Sequence, residues 1–172
     1  YTQEQAIEYL FDNTTTEVLF GGAAGGGKSW VGCSWLVLMC FKHPKTRYLM
    51  GRSKLDSLKK TTLNTFFEVC DHWKIKANKH YTFNASSNVI TFYNKSEIIL
   101  KDLFLYPSDR NFDNLGSLEI TGAFIDEANQ ITEKAKNIVA SRIRYKLDEF
   151  NLIPKMLMTC NPAKNWVYTQ YY

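Results

Sequence analysis

Long apolar runs are missing from this chain. No stretch reaches the roughly 18 uncharged apolar residues that a membrane-spanning helix needs, and the most apolar run, Trp30 to Phe41, has the length of a buried helix. A soluble protein with no membrane partner is therefore expected. Cysteine is scarce. Cys33, Cys40, Cys70 and Cys160 lie far apart and never at metal-ligand spacing, which argues for reduced, packing thiols in a cytoplasmic setting and against a disulfide framework. His43, His72 and His80 form no ligand pattern either, so zinc is set aside. The chain opens on Tyr1, with no initiator methionine and no charged-then-apolar leader, and reads as a trimmed start with nothing arguing for secretion.

What is present suits one α/β domain. With 172 residues, 45% of them hydrophobic, the chain is long enough for one well-buried core and short for two. The net charge of +4 is mild. Yet Lys42, Lys45, Arg47, Arg52, Lys54, Lys59 and Lys60 crowd one segment against the single acid Asp56. That segment fits either a surface tracking a phosphate backbone or a solvated helix face, and charge alone does not choose between them.

Periodicity and punctuation give an order of elements. Thr2 and Gln5 form a capping box ahead of Ala6, Ile7, Leu10 and Phe11 at helical spacing. Glu17 to Phe20 reads as a strand running into a glycine cluster, and the segment after Lys28 as a buried helix stopped near Pro44. Thr46 to Gly51 is a second strand, and Ser53 to Trp73 one long helix with an apolar face built mainly from Leu55, Leu58, Leu63, Phe66, Phe67 and Val69. Tyr81 to Phe83, Val89 to Tyr93 and Glu97 to Leu100 read as short strands, the last two joined by a hairpin-like Asn94-Lys95 corner, forming a small antiparallel addition at an edge. Leu118 to Asp126 is an apolar strand, Glu133 to Tyr145 a helix, and Pro154 to Cys160 a last strand. The Asp- and Asn-rich stretch Phe104 to Gly116 is the one loop long enough to suspect of function. A largely parallel sheet flanked by helices follows.

Gly22-Ala23-Ala24-Gly25-Gly26-Gly27-Lys28-Ser29 lies between a predicted strand and a predicted helix, as a phosphate-binding P-loop requires. Residues without bulky side chains let successive backbone N–H groups curl around a phosphate, Lys28 reaches the β and γ oxygens of ATP, and the Ser29 hydroxyl ligates Mg2+. A flexible glycine turn would not need Lys-Ser in the first turn of an apolar helix. Ala123-Phe124-Ile125-Asp126-Glu127 supplies the second half: Asp126 to hold the magnesium through water, and Glu127 to act on a water aligned with the γ-phosphate. Taken alone, that pair reads better as two solvated acids preceding a helix; with the glycine loop upstream it does not. Leu157 to Pro162 is a third apolar strand with a polar end. In P-loop ATPases with a catalytic glutamate, a strand inserted between the nucleotide-binding strands senses the γ-phosphate, a role open to Thr159 or Asn161; local chemistry suits an Asn-Pro turn as well, and order in the chain favours the sensor. Gln5 either caps its helix or reads the adenine edge with its amide, with Gln3 as a second candidate.

These features together resemble the ATPase half of the large terminase subunit, the DNA-packaging motor of tailed bacteriophages. The resemblance spans nearly the whole chain. It rests on Thr2-Gln3-Glu4-Gln5 as an adenine-reading motif, Gly21 to Ser29 as Walker A, and Tyr48 to Lys54 as a strand-end Gly-Arg-Ser-Lys segment. Phe124 to Asn129 stands as Walker B, and Thr159-Cys160-Asn161-Pro162 with Trp166 as a coupling motif. It implies a RecA-like fold of the additional-strand, catalytic-glutamate type. It also implies a motor that drives double-stranded DNA into a procapsid with the portal protein and a small terminase subunit as partners, as a homo-oligomeric ring at the portal vertex in the host cytoplasm. The family's nuclease half is not expected within this segment, which reads as a fragment of the parent protein.

Many members carry an arginine in the glycine loop where this chain has Ala24. The cation needed in phosphoryl transfer is then sought among Arg52, Arg110, Arg142 and Arg144, with Arg110 acting in trans preferred and Arg52 in cis the runner-up. Three other readings compete: a superfamily 2 helicase or related translocase, a small-molecule kinase, and a nucleotide-dependent switch. The helicase reading wants a Ser-Ala-Thr strand end, and the kinase reading sits poorly with Glu127 beside Asp126.

Overall fold

The computed structural model describes residues 3–21, 27–161 and 166–167. The expected parts played by Thr2, Gly22, Ala23, Ala24, Gly25, Gly26 and Pro162 lie outside these described residues.

The chain runs α1 (Gln3–Phe11), β1 (Glu17–Gly21), α2 (Lys28–Lys42), β2 (Arg47–Arg52) and α3 (Leu55–Ser57), then a π-helical turn (Leu58–Thr62) and α4 (Leu63–His72). It continues through β3 (Tyr81–Asn84), β4 (Val89–Phe92), β5 (Glu97–Asp102), β6 (Gly122–Ile125), α5 (Glu133–Ser141) and β7 (Met156–Cys160). The strands form one seven-stranded sheet in the order β1-β7-β6-β2-β5-β4-β3. The first five in that order pair in parallel. β4 and β3 add the expected antiparallel piece at one side, where Lys95 takes the positive φ that the Asn94-Lys95 corner requires.

Alternation along the central strands divides the core between two faces. Tyr48 and Met50 of β2, Phe124 of β6 and Leu157 of β7 pack against α1, α2 and α4. Leu49, Ala123, Ile125, Met156 and Met158 pack with Ala135 and Val139 of α5 and with Leu103, Phe112 and Leu115. Burial on both sides explains why β6 and β7 read as continuous apolar runs. The long loop is thus pinned by core side chains as well as carrying polar ones. A buried lysine ties α1 to the sheet: Lys155 donates to the carbonyls of Tyr9 and Asp12 and to Asp12 Oδ1. The Thr15 hydroxyl, with these other donors, holds the Asp12 carboxyl well below the usual range.

Three boundaries differ from the sequence reading. The strand expected from Leu118 begins at Gly122, with Ile120 making an isolated bridge to Ile143. The helix expected to reach Tyr145 stops at Ser141, because Ile143 is drawn off to that bridge. The single helix from Ser53 is interrupted: Leu63 N–H bonds back to the Leu58 carbonyl, an i+5 spacing.

Helix α2 lies so close to the sheet that a β-carbon on Gly32 would sit 2.3 Å from the Phe124 ring. Gly32→Ala gains helix propensity of about 1 kcal/mol, but overpacking at a buried ring costs about 1–3 kcal/mol. The steric effect should win. Chemical denaturation is expected to show a lower unfolding midpoint for Gly32→Ala, and an unchanged or raised midpoint would contradict the close approach.

Candidate nucleotide and metal site

Parallel pairing brings the C-terminal ends of β1, β7, β6 and β2 to one edge of the sheet, where α/β proteins bind ligands. β7 lies between β1 and β6, as the additional-strand reading requires. Gly21 ends β1, and α2 begins at Lys28 with no side-chain cap at Gly27. Its first N–H groups and its dipole therefore face the site, an arrangement that favours an anion.

Asp126 is the centre. It is only 2% exposed, and its backbone N–H is fixed by the Gly51 carbonyl of β2. One carboxylate oxygen, Oδ2, accepts hydrogen bonds from Ser29 Oγ at 2.9 Å and Thr62 Oγ1 at 2.6 Å, with Arg52 Nη1 3.7 Å away. The other, Oδ1, accepts from Thr159 Oγ1 at 2.6 Å and from the Glu127 N–H at 3.1 Å. The negative charge is buried yet fully provided with donors, as a charge at such depth must be.

Lys28 is placed by the end of β7. Its ammonium donates to Asn161 Oδ1 and, at 3.4 Å, to the Cys160 carbonyl. Both proposed coupling residues are thereby engaged, Thr159 with Asp126 and Asn161 with Lys28. Glu127 is half-buried and adopts a left-handed conformation, φ 50°, at the turn out of β6. Such geometry is uncommon away from glycine, and it turns the chain sharply just where the side chain leaves the strand. Burial, reinforced by the Glu127 charge and offset by Lys28, pushes the Cys160 thiol up.

The candidate arginines separate. Arg52 ends β2 at the site, bonding Thr61 Oγ1 at 2.7 Å, while its buried Nε has no hydrogen-bond partner among the described residues. Arg110 is exposed on the long loop, its carbonyl bonded by Lys134. Arg144 pairs with Glu119. Of the two glutamines, Gln3 meets the glycine loop, its amide donating to the Gly27 carbonyl at 3.2 Å, whereas Gln5 is exposed further along α1. Much of the basic segment is engaged locally: Lys54 lies 3.3 Å from the Phe104 ring centre, Lys60 pairs with Asp56, and Arg47 with Glu97.

Magnesium fits the donor set. The described residues contain no group of three or more His, Cys, Asp or Glu able to hold a metal. One hydroxyl and one carboxylate do meet, Ser29 and Asp126, and a hard ion that keeps most of its waters and takes phosphate oxygens needs little more.

The fold is that of phage packaging ATPases. Over 98% of this chain it matches a large terminase from a thermophilic bacteriophage at TM-score 0.74 and 16% identity, covering 41% of that protein. It matches the large terminase ATPase domain of Thermus phage P74-26 at TM-score 0.65 and 17% identity, covering 98% of this chain and 67% of that one. The N-terminal domain of the DNA packaging ATPase from bacteriophage phi29 matches at TM-score 0.61 and 13% identity, with coverage of 95% and 80%. No curated protein sequence matches. The family model of the phage terminase large subunit matches residues 13–172, and the chain belongs to that family. It spans about two fifths of the first of these structures.

Thr159→Val tests the Asp126 network, because it keeps the shape and removes one buried donor. A loss of about 1–3 kcal/mol is expected in denaturant unfolding. An unchanged midpoint would show that Thr159 contributes nothing to holding the carboxylate.

Proposed function

We propose that this chain is the ATP-hydrolysing motor domain of a phage DNA-packaging machine, with double-stranded DNA as the translocated substrate. The observation that carries the reading is the meeting of a P-loop lysine and serine with the acids of β6 around the tip of an inserted strand. Membership of the terminase family favours this over the helicase, kinase and switch readings.

Each residue has a role in that chemistry. Lys28 and the N-terminus of α2, with the Gly22 to Gly27 loop, bind the phosphates. Ser29 and Asp126 hold the metal, and Glu127 orients and deprotonates the attacking water. Magnesium, when bound, neutralises charge on the β and γ oxygens. Binding of phosphate by Lys28 competes with its bond to Asn161, so β7 is positioned to register the exchange. Arg52 is our assignment for the cation in cis, supported by its place beside Asp126 and its unpaired buried Nε. Gln3 or Gln5 reads the base. The family also suggests the portal protein and a small terminase subunit as partners, a homo-oligomeric ring at the portal vertex, and a host-cytoplasmic site of action.

Lys28→Ala should abolish tight ATP binding, while Glu127→Gln should keep binding and lose hydrolysis, as read by calorimetry and phosphate release. Equal loss of binding in both would overturn the roles. Arg52→Ala should reduce turnover by roughly 10³ or more at every protein concentration. Specific activity rising steeply with concentration, with hydrolysis restored on mixing Arg110→Ala and Glu127→Gln subunits, would instead assign the cation to Arg110 in trans.

A further inference from the structure

The one irregular turn in the helical segment from Leu55 to His72 faces the site. At the π-turn Leu58–Thr62, adjacent threonines contact Arg52, which ends β2, and Asp126, which follows β6. Thr61 Oγ1 accepts from Arg52 Nη1 at 2.7 Å and donates to the Ser57 carbonyl at 2.6 Å. Thr62, wholly buried, donates to Asp126 Oδ2 at 2.6 Å. Its carbonyl accepts from the thiol of Cys33 at 3.6 Å, which ties the turn to α2, the helix that begins with Lys28 and Ser29. Burial, and secondarily the Asp126 charge, raises the Cys33 pKa, so the thiol stays protonated and remains a donor.

A carboxylate has about four in-plane lone-pair sites. Ser29 and Thr62 take two on Oδ2; Thr159 and the Glu127 N–H take two on Oδ1. A water or metal ion arriving at Asp126 must therefore displace or re-aim a donor. Ser29 is the one whose oxygen suits a magnesium ion. Thr62 is then the side chain that keeps Oδ2 aimed while Ser29 turns. A threonine buried in a helix ordinarily bonds back to the carbonyl four residues earlier. Here that carbonyl, on Leu58, accepts from Leu63 N–H, and the Thr62 hydroxyl is directed to Asp126 instead.

We propose that Thr62 is a positioning residue for the magnesium-holding carboxylate, and that the π-turn makes the helix from Leu55 to His72 respond to the metal. The proposal rests on the ATPase reading above and deepens it. π-turns are rare and concentrate at functional sites, and this one brings Thr61 and Thr62 onto Arg52 and Asp126 together.

The test compares Thr62→Val and Thr62→Ser with the wild type in the complete protein. A fluorescent ATP analogue is titrated in Mg2+ and in EDTA, alongside turnover, melting curves and hydrogen exchange of residues 55–72. In EDTA, Thr62→Val should bind the analogue within about twofold of wild type, but it should lose about tenfold of the affinity that Mg2+ adds, the worth of one hydrogen bond to a charged group. Thr62→Ser should recover most of that gain. Magnesium with ATP should change protection of the 55–72 amides in wild type and Thr62→Ser, and change it less in Thr62→Val. A wild-type magnesium gain in Thr62→Val would overturn the proposal. So would a Thr62→Ser protein as impaired as Thr62→Val and equally lowered in melting temperature, since methyl packing would then explain the residue. A wild type that binds the analogue no better with Mg2+ would instead remove the ATPase reading on which the proposal depends.

Discussion

A single buried carboxylate organises the functional edge of this domain. Asp126 sits where water hardly reaches, and an ionised carboxylate there is sustained only by hydrogen bonds from several directions. The donors come from α2, the π-turn, β7 and the turn after β6, with Arg52 of β2 nearby. These elements are remote from one another in sequence. The need to solvate one charge therefore fixes the relative positions of Ser29, Thr62, Thr159 and Glu127 at this edge.

The larger features were legible in the sequence because they depend on local chemistry. The glycine loop between a strand and an apolar helix, and an apolar strand ending in Asp126-Glu127, each carry their physical reason within a few residues. The placement of Thr159 and Asn161 was also readable, given the expectation that their strand is inserted between the other two. The structure meets that expectation with the order β1-β7-β6.

What was not legible was decided by contacts between distant segments. Nothing within 133–145 says that Ile143 will leave the helix to pair with Ile120. Arg110 was preferred because a loop tip can cross into a neighbour's site in a ring, whereas the position of Arg52 beside Asp126 follows from the pairing of β2 with β6, which the sequence did not display. The sequence put Gln5 ahead of Gln3 for the adenine edge; that the Gln3 amide meets the Gly27 carbonyl follows only from the docking of α1. Thr62 was passed over as a polar residue within an amphipathic helix. A signal existed: the apolar spacing stretches from Leu58 directly to Leu63, with Thr62 standing where the helical repeat calls for an apolar side chain.

The insertion of β7 also has a mechanical side. The strand is hydrogen-bonded along both edges, to β1 on one side and to β6 on the other. With strands spaced roughly 4.8 Å apart, the P-loop strand and the strand bearing the acids stand two such spacings from each other, joined through a continuous ladder. They cannot spread or slide independently while that ladder holds. Any relative displacement of β1 and β6 is therefore borne by β7 as shear. Beyond β7, Trp166 donates to the Ile131 carbonyl and so ties the chain back to the segment that follows β6.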